Sequence, residues 1–123
     1  MRRDGKFFTD TELACKCCGK QGMDKNFMAT IVMMREIMDI PFHVSSAYRC
    51  ELHDDEIGGS GVHPTGRAID IAIRGTNAYR LVGQAVMRGI TGIGIKQKGN
   101  KRFIHLDNLG PEDKSSRPWI WSY

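Results

Sequence analysis

The stretch SGVHPTGRAIDIAI, residues 60–73, changes character halfway along. His63-Pro64-Thr65-Gly66 is turn chemistry, because proline fixes φ and glycine opens backbone conformations closed to other residues. From Ala68 onward Ile69, Ile71 and Ile73 alternate with Asp70 and Ala72, the period-2 pattern of a strand with one apolar face. Asp70 then stands on the face away from the core, and His63 lies seven residues earlier on the turn that feeds the strand. The pair reads either as two metal ligands or as two ordinary polar residues. What shares the sheet with Asp70 decides between them.

A second stretch, RFIHLDN (residues 102–108), has the same period and predicts a strand with Phe103, His105 and Asp107 on one face and Ile104 and Leu106 on the other. If the two strands share a sheet, Asp70 and His105 share a surface and His63 folds back over them. Two imidazoles and one carboxylate, with a position left for water, make a catalytic rather than a structural zinc set. Such a centre polarises a carbonyl and brings the pKa of its water to about 7. Asp107, on the face of His105, is then the expected acceptor of the water's proton. His43 and His53 have no patterned carboxylate neighbour and are read as non-ligands. On spacing alone ordinary strand histidines are the better reading of the set.

Around these strands the chain predicts an α+β domain, a small antiparallel sheet with helices packed on one face. Thr9 and Glu12 have capping-box spacing and open a short first helix that ends near Gly19–Gly22. Phe27, Ile31, Met34 and Met38 recur at helical spacing behind Asp24 as N-cap, and Pro41 marks the end of that helix. Methionines 28, 33, 34 and 38 are read as core. FHVSSAYR (42–49) is a strand, CELHDDEIGGSGVHPTG (50–66) a long polar loop, and NAYRLVGQAVMRG (77–89) a helix capped by Thr76 or Asn77 and ended by Gly89. GIGI and RFIHLDN form a hairpin through KQKGNK. Trp119 and Trp121 alternate with Ile120, and they either line a groove or cover the end of the sheet, with core the favoured reading.

The 123 residues suit a single domain, 1–123, long enough to bury most of one core without staples. With 41% hydrophobic and 26% charged residues and no apolar run near the ~20 residues that span a bilayer, membrane insertion is not expected. MRRDGKFFTDTEL lacks the apolar core of a signal peptide, so synthesis in the cytoplasm without a leader is expected. A net charge of +4 favours anionic partners in general. No basic stripe interleaved with aromatics appears, so nucleic acid is not an expected partner. Cys15, Cys17, Cys18 and Cys50 fit free thiols, a disulfide to Cys50, or a small structural metal site.

SSAYRCELHDDEIGGSGVHPTGRAIDI resembles the S-x-Y-R segment and the S-x-H-x-x-G-x-A-x-D motif of the zinc D-alanyl-D-alanine carboxypeptidase-like peptidases, peptidase M15. These belong to the wider group that includes lysostaphin-type enzymes and hedgehog amino-terminal domains. The similarity runs from FTDTELACKCCGKQGMD through GIGIKQKGNKRFIHLDN to RPWIWSY, stretches that resemble the short, often phage-encoded branch. The resemblance implies a monomeric zinc metallopeptidase with Zn2+ on His63, Asp70 and His105. It also implies that Arg49 engages a substrate carboxylate, with Ser46 and Tyr48 as pocket hydroxyls. The implied partner is a peptidoglycan stem peptide, cut by a D,D-carboxypeptidase or an L-Ala-D-Glu-type endopeptidase, in the manner of a phage endolysin released through a holin-type pore. A zinc-binding module without turnover is the alternative. Two positions depart from the pattern: Gly61 stands where Ser is common, and Arg102 stands where many members carry the general base, which leaves Asp107 as its substitute.

Overall fold

The computed structural model describes residues 7–123; the basic start around Arg2, Arg3 and Lys6, where no leader is expected, lies outside the described residues. In chain order the elements are α1 (Asp10–Leu13), α2 (Lys25–Met38), β1 (His43–Ser46), α3 (Glu51–Glu56), a 3-10 turn (His63–Thr65), β2 (Ala68–Ala72), α4 (Gly75–Met87), β3 (Gly92–Lys96), β4 (Phe103–Asp107), a second 3-10 turn (Pro111–Asp113) and β5 (Trp119–Ser122). The sheet order is β1-β2-β4-β3-β5. The first three pairings are antiparallel, as expected, but β5 returns parallel to β3, so the sheet is mixed.

One face of this sheet is the core. Ile69, Ile71, Ile93, Ile104 and Leu106 pack against Phe27, Ile31, Met34 and Met38 of α2 and Ala78, Leu81 and Ala85 of α4. Each large apolar side chain withdrawn from water here contributes about 1.5–3 kcal/mol. The α2 stripe is the one its spacing predicts, and the Asp24 carboxylate accepts from Phe27 N at 2.9 Å as N-cap. Met34 and Met38 are core, whereas Met33 is exposed. On the same strands, β2 and β4, the opposite face carries Asp70, His105 and Asp107.

Three local expectations are corrected. The segment after Cys50 is not all loop: α3 forms because the Cys50 thiol accepts from His53 N at 3.4 Å and caps it, a role thiols seldom fill. α4 starts at Gly75, earlier than Thr76 or Asn77 would place it, and no side chain of its own N-cap residue, Arg74, bonds to it. The Gln97 side chain accepts from Gly75 N at 3.4 Å instead, so the cap comes from the distant hairpin. The first helix is a single turn, held by the Thr9–Glu12 capping box.

Candidate metal centre

Register creates the site. In the β2–β4 ladder Asp70 lies directly opposite His105 and Ala68 opposite Asp107, while in β3–β4 Gly94 lies opposite His105 and Gly92 opposite Asp107. Because side chains alternate across a strand, all six positions face away from the helices. The turn before β2 brings His63 back over them: Gly66 closes it in the left-handed region at φ 75°, and any Cβ there would collide with the Gly22 carbonyl. His63 Nε2 ends 3.5 Å from Asp70 Oδ2, and the two imidazoles meet edge-on with centroids 5.3 Å apart.

Hydrogen bonds fix how each ring is presented. His63 Nδ1 lies 2.7 Å from the Ala47 carbonyl, which can only accept; in the neutral ring the proton sits there and the Nε2 lone pair faces Asp70. His105 is held from both sides, Nδ1 at 2.9 Å from Asp70 Oδ1 and Nε2 at 2.7 Å from Asp107 Oδ2. Burial alone would lower the His105 pKa, but its bonds to Asp107 and Asp70 and their charges outweigh this and hold it raised. Burial likewise opposes ionisation of Asp70, yet its bonds from His105 and His63 bring it down to about 2. Asp70 is therefore an anion at neutral pH.

His63, Asp70 and His105 each offer a donor atom, and these lie within 4.8 Å of one another. The set fits a zinc ion: two imidazole nitrogens and one carboxylate, each ring nitrogen pointing inward being matched by an outward one that hydrogen-bonds to a carbonyl or a carboxylate. The three donors sit in the wall of a cavity of about 730 Å³, so one side remains open to an incoming molecule. His43 is exposed on edge strand β1, and neither it nor His53 joins a donor group among the described residues.

Asp107 is placed otherwise than its expected role requires. It is fully buried and does not line the cavity. Besides His105 it accepts from Arg117 Nε and Nη2, both at 2.8 Å, and from Leu109 N at 3.3 Å. Burial would raise its pKa, but the Arg117 and His105 bonds overcome that and hold the carboxyl far below the usual carboxylate range. A carboxylate so supplied with donors is a poor proton acceptor and a good anchor. Arg102 is also absent from the site: it lines a different cavity with Tyr79, Val82 and Ile104 on the helix side, and donates to the Gly99 carbonyl at 2.9 Å.

Of the other expected residues, Arg49 lines the cavity and Ser46 and Tyr48 do not. Tyr48 is buried, its ring packed where Gly22 leaves room. Arg49 Nη1 lies 3.3 Å from Asp54 Oδ1 in an ion pair too poorly aligned for a hydrogen bond, and its Nε is buried without a partner. Asp54, buried on α3, anchors the loop beyond it by accepting from Gly61 N at 2.8 Å.

Arg117 and Trp121 are site residues that sequence reasoning missed or misplaced. The tryptophans are not core: Trp119 is exposed, both line the cavity, and Trp121 lies against His105 at 5.1 Å between ring centroids. Arg117 stands over the Trp121 ring at 5.1 Å. The signal that was available is the alternation Gly92-Ile93-Gly94. Both glycines fall on the site face, where a Cβ at Gly92 would collide with the Asp107–Arg117 pair and one at Gly94 would come within 2.6 Å of Trp121 Nε1.

Three inward donors on a sheet face, with one side open, are a donor set that could hold a single reactive metal ion. The chain belongs to the peptidase M15 family: the family model described as Peptidase M15 matches residues 6–107, most of its length and all three donors. A search among curated proteins finds no match to the chain. No helix among the described residues is long and apolar enough to cross a membrane.

Proposed function

We propose that the chain is a zinc-dependent peptidase that hydrolyses amide bonds in peptidoglycan stem peptides, as a D,D-carboxypeptidase or an L-Ala-D-Glu-type endopeptidase. The observation that carries the reading is the convergence of His63, Asp70 and His105 in the wall of an open cavity. Membership of the peptidase M15 family supports it. A zinc ion held by these residues supplies Lewis-acid polarisation of the scissile carbonyl and acidification of water.

The chain's own residues do the rest. His63 and His105 offer Nε2 and Nδ1, and Asp70 offers a carboxylate oxygen that is anionic at working pH. Asp107 keeps the Nε2 proton of His105 in place and so fixes the tautomer that leaves Nδ1 free to ligate. Arg117 keeps Asp107 ionised, which makes both of them positioning residues. Arg49 and Lys114 give the cavity a cationic wall that suits the carboxylates of a stem peptide, and Arg49 brings a guanidinium with an unspent Nε donor. Trp119 and Trp121 form the apolar side of the groove.

One observation favours a second reading, a zinc-dependent binding module without turnover: among the described residues Asp70 is the only side-chain carboxylate in the wall of the cavity, and it belongs to the donor set. Incubation of the zinc-loaded chain with purified peptidoglycan separates the two. Release of new amino groups, abolished by chelation and by Asp70→Ala, supports the peptidase; zinc-dependent retention on peptidoglycan with no release establishes the module.

A further inference from the structure

Away from this site, the four cysteines of the chain come together. Cys15, Cys17 and Cys18 occupy a turn between α1 and α2, and Cys50 caps α3. All four sulfurs lie within 4.8 Å of one another, with Cys15 Sγ to Cys17 Sγ at 3.5 Å and Cys17 Sγ to Cys50 Sγ at 3.6 Å. A tetrahedral zinc with Zn–S bonds of about 2.3 Å sets its sulfurs about 3.8 Å apart, so these separations are those of a metal-centred cluster.

We propose that Cys15, Cys17, Cys18 and Cys50 bind a second zinc ion, a closed structural site of four thiolates that ties the N-terminal segment to the start of α3.

Three features carry this. Cys17 stands at nearly equal distance from two partners, whereas a disulfide would draw it onto one of them and leave the other sulfurs behind. The backbone is folded as a ligand loop: Cys15 N donates to Lys20 O at 2.9 Å, Gly19 N donates to Cys15 O at 2.8 Å, and Gly19 takes φ 75° to turn the chain back. Backbone donors already point at sulfur, Cys50 N to Cys15 Sγ and His53 N to Cys50 Sγ, both at 3.4 Å, which offsets the negative charge that four thiolates leave on a dipositive ion. A metal cluster would add a cross-link to a segment otherwise held by scattered contacts, among them Tyr48 N to Leu13 O at 3.2 Å and Asp24 N to Gly66 O at 2.9 Å. α1 buries no residue, and residues 14–24 form no helix or strand. Binding releases the thiol protons that remain, so it strengthens as pH rises.

The site would also serve the cavity from a distance. Cys50 follows Arg49 directly, and the Tyr48 amide donates to Leu13 O at 3.2 Å, so the cluster closes the ring of contacts around the arginine's backbone. The assignment does not depend on the peptidase reading, because the His63, Asp70, His105 set contains no sulfur.

The test is metal content and cobalt substitution of the full chain, purified under reducing conditions. Two zinc ions per chain are expected, falling to one in a Cys17→Ser, Cys18→Ser double variant. Replacement of zinc by cobalt(II) is expected to give an intense near-ultraviolet sulfur-to-cobalt charge-transfer band, which only the cysteines can produce, in the unmodified chain as well as in His105→Ala. The unmodified chain therefore answers the question even if the double variant does not fold. Absence of that band, with all four thiols reacting freely with a thiol reagent or with an as-isolated mass short by two hydrogens per disulfide, overturns the proposal. Loss of the other zinc in His105→Ala leaves it standing.

Discussion

Replacing Asp107 by asparagine separates a positioning role from a proton-accepting one. The amide is nearly isosteric, so packing against Gly92 is kept, but the charge facing Arg117 and His105 is gone. Arg117 loses two charge-assisted hydrogen bonds of 2.8 Å while its side chain is only 9% exposed. Breaking a buried ion pair costs about 3–5 kcal/mol, and the lower end applies because an amide oxygen still faces the guanidinium. His105 loses the acceptor that fixes its Nε2 proton, for which a 10–100-fold loss of metal affinity is typical, roughly 1.4–2.7 kcal/mol. The assay is zinc affinity by competition with a chromogenic chelator, urea unfolding, and peptide hydrolysis at saturating zinc. Asp107→Asn should lose about 3 kcal/mol of stability and 10–100-fold in zinc affinity, with most activity regained when zinc is in excess. Unchanged affinity and stability, together with a 10²–10⁴-fold fall in kcat at saturating zinc, the range for removing a general base, would refute the positioning argument and return Asp107 to the role of proton acceptor.

Other consequences are as direct. Gly92→Ala pushes a methyl group into the Asp107–Arg117 pair and should cost about 1–3 kcal/mol along with zinc affinity. Gly83→Ala, in open space on α4, should gain about 0.5–1 kcal/mol in the same urea titration. The raised His105 pKa means that a proton competes for the ring above the ordinary histidine value of about 6.5, so apparent zinc affinity should keep rising with pH beyond that value, by up to about tenfold per unit. Isothermal titrations across pH 6–9 check this, and a plateau already reached at about pH 6.5 would contradict the raised value. The depressed Asp107 pKa has the opposite sign. Its contribution is complete above the unfolded value of about 3.9 and is lost as pH falls below it, so Arg117→Ala should shift acid unfolding to higher pH. Arg49→Lys should raise KM for a carboxylate-terminated stem peptide by about ten- to a hundredfold, while zinc content stays unchanged.

The core, and the shared face of Asp70, His105 and Asp107, were legible in the sequence because both rest on short periods, whereas the place of His63 beside them rests on a turn and was implied by the family resemblance. Alternation in AIDIA and FIHLD separates isoleucines and leucines from Asp70, His105 and Asp107 without any knowledge of the neighbours. The α2 stripe and its Asp24 cap are local in the same way. What was not legible depends on contacts across the chain. α3 is six residues with a thiol cap and one buried charge, Asp54, which leaves no apolar rhythm to detect. Nothing near Arg117 announces that β5 will return parallel to β3 and lay the arginine on Asp107. That contact changes the chemistry assigned to Asp107, from an acceptor free in the pocket to an anchor behind a ligand. The polarity of Asp107 could be read from the chain; its burial could not.

The most direct test of the central claim is anomalous diffraction at the zinc edge from crystals of the zinc-loaded chain. The account predicts a peak in the wall of the large cavity, within about 2.0–2.2 Å of His63 Nε2, an Asp70 carboxylate oxygen and His105 Nδ1, with Asp107 still bonded to His105 Nε2 and Arg117. No peak between those three donors, or a zinc ligated directly by Asp107, would contradict it.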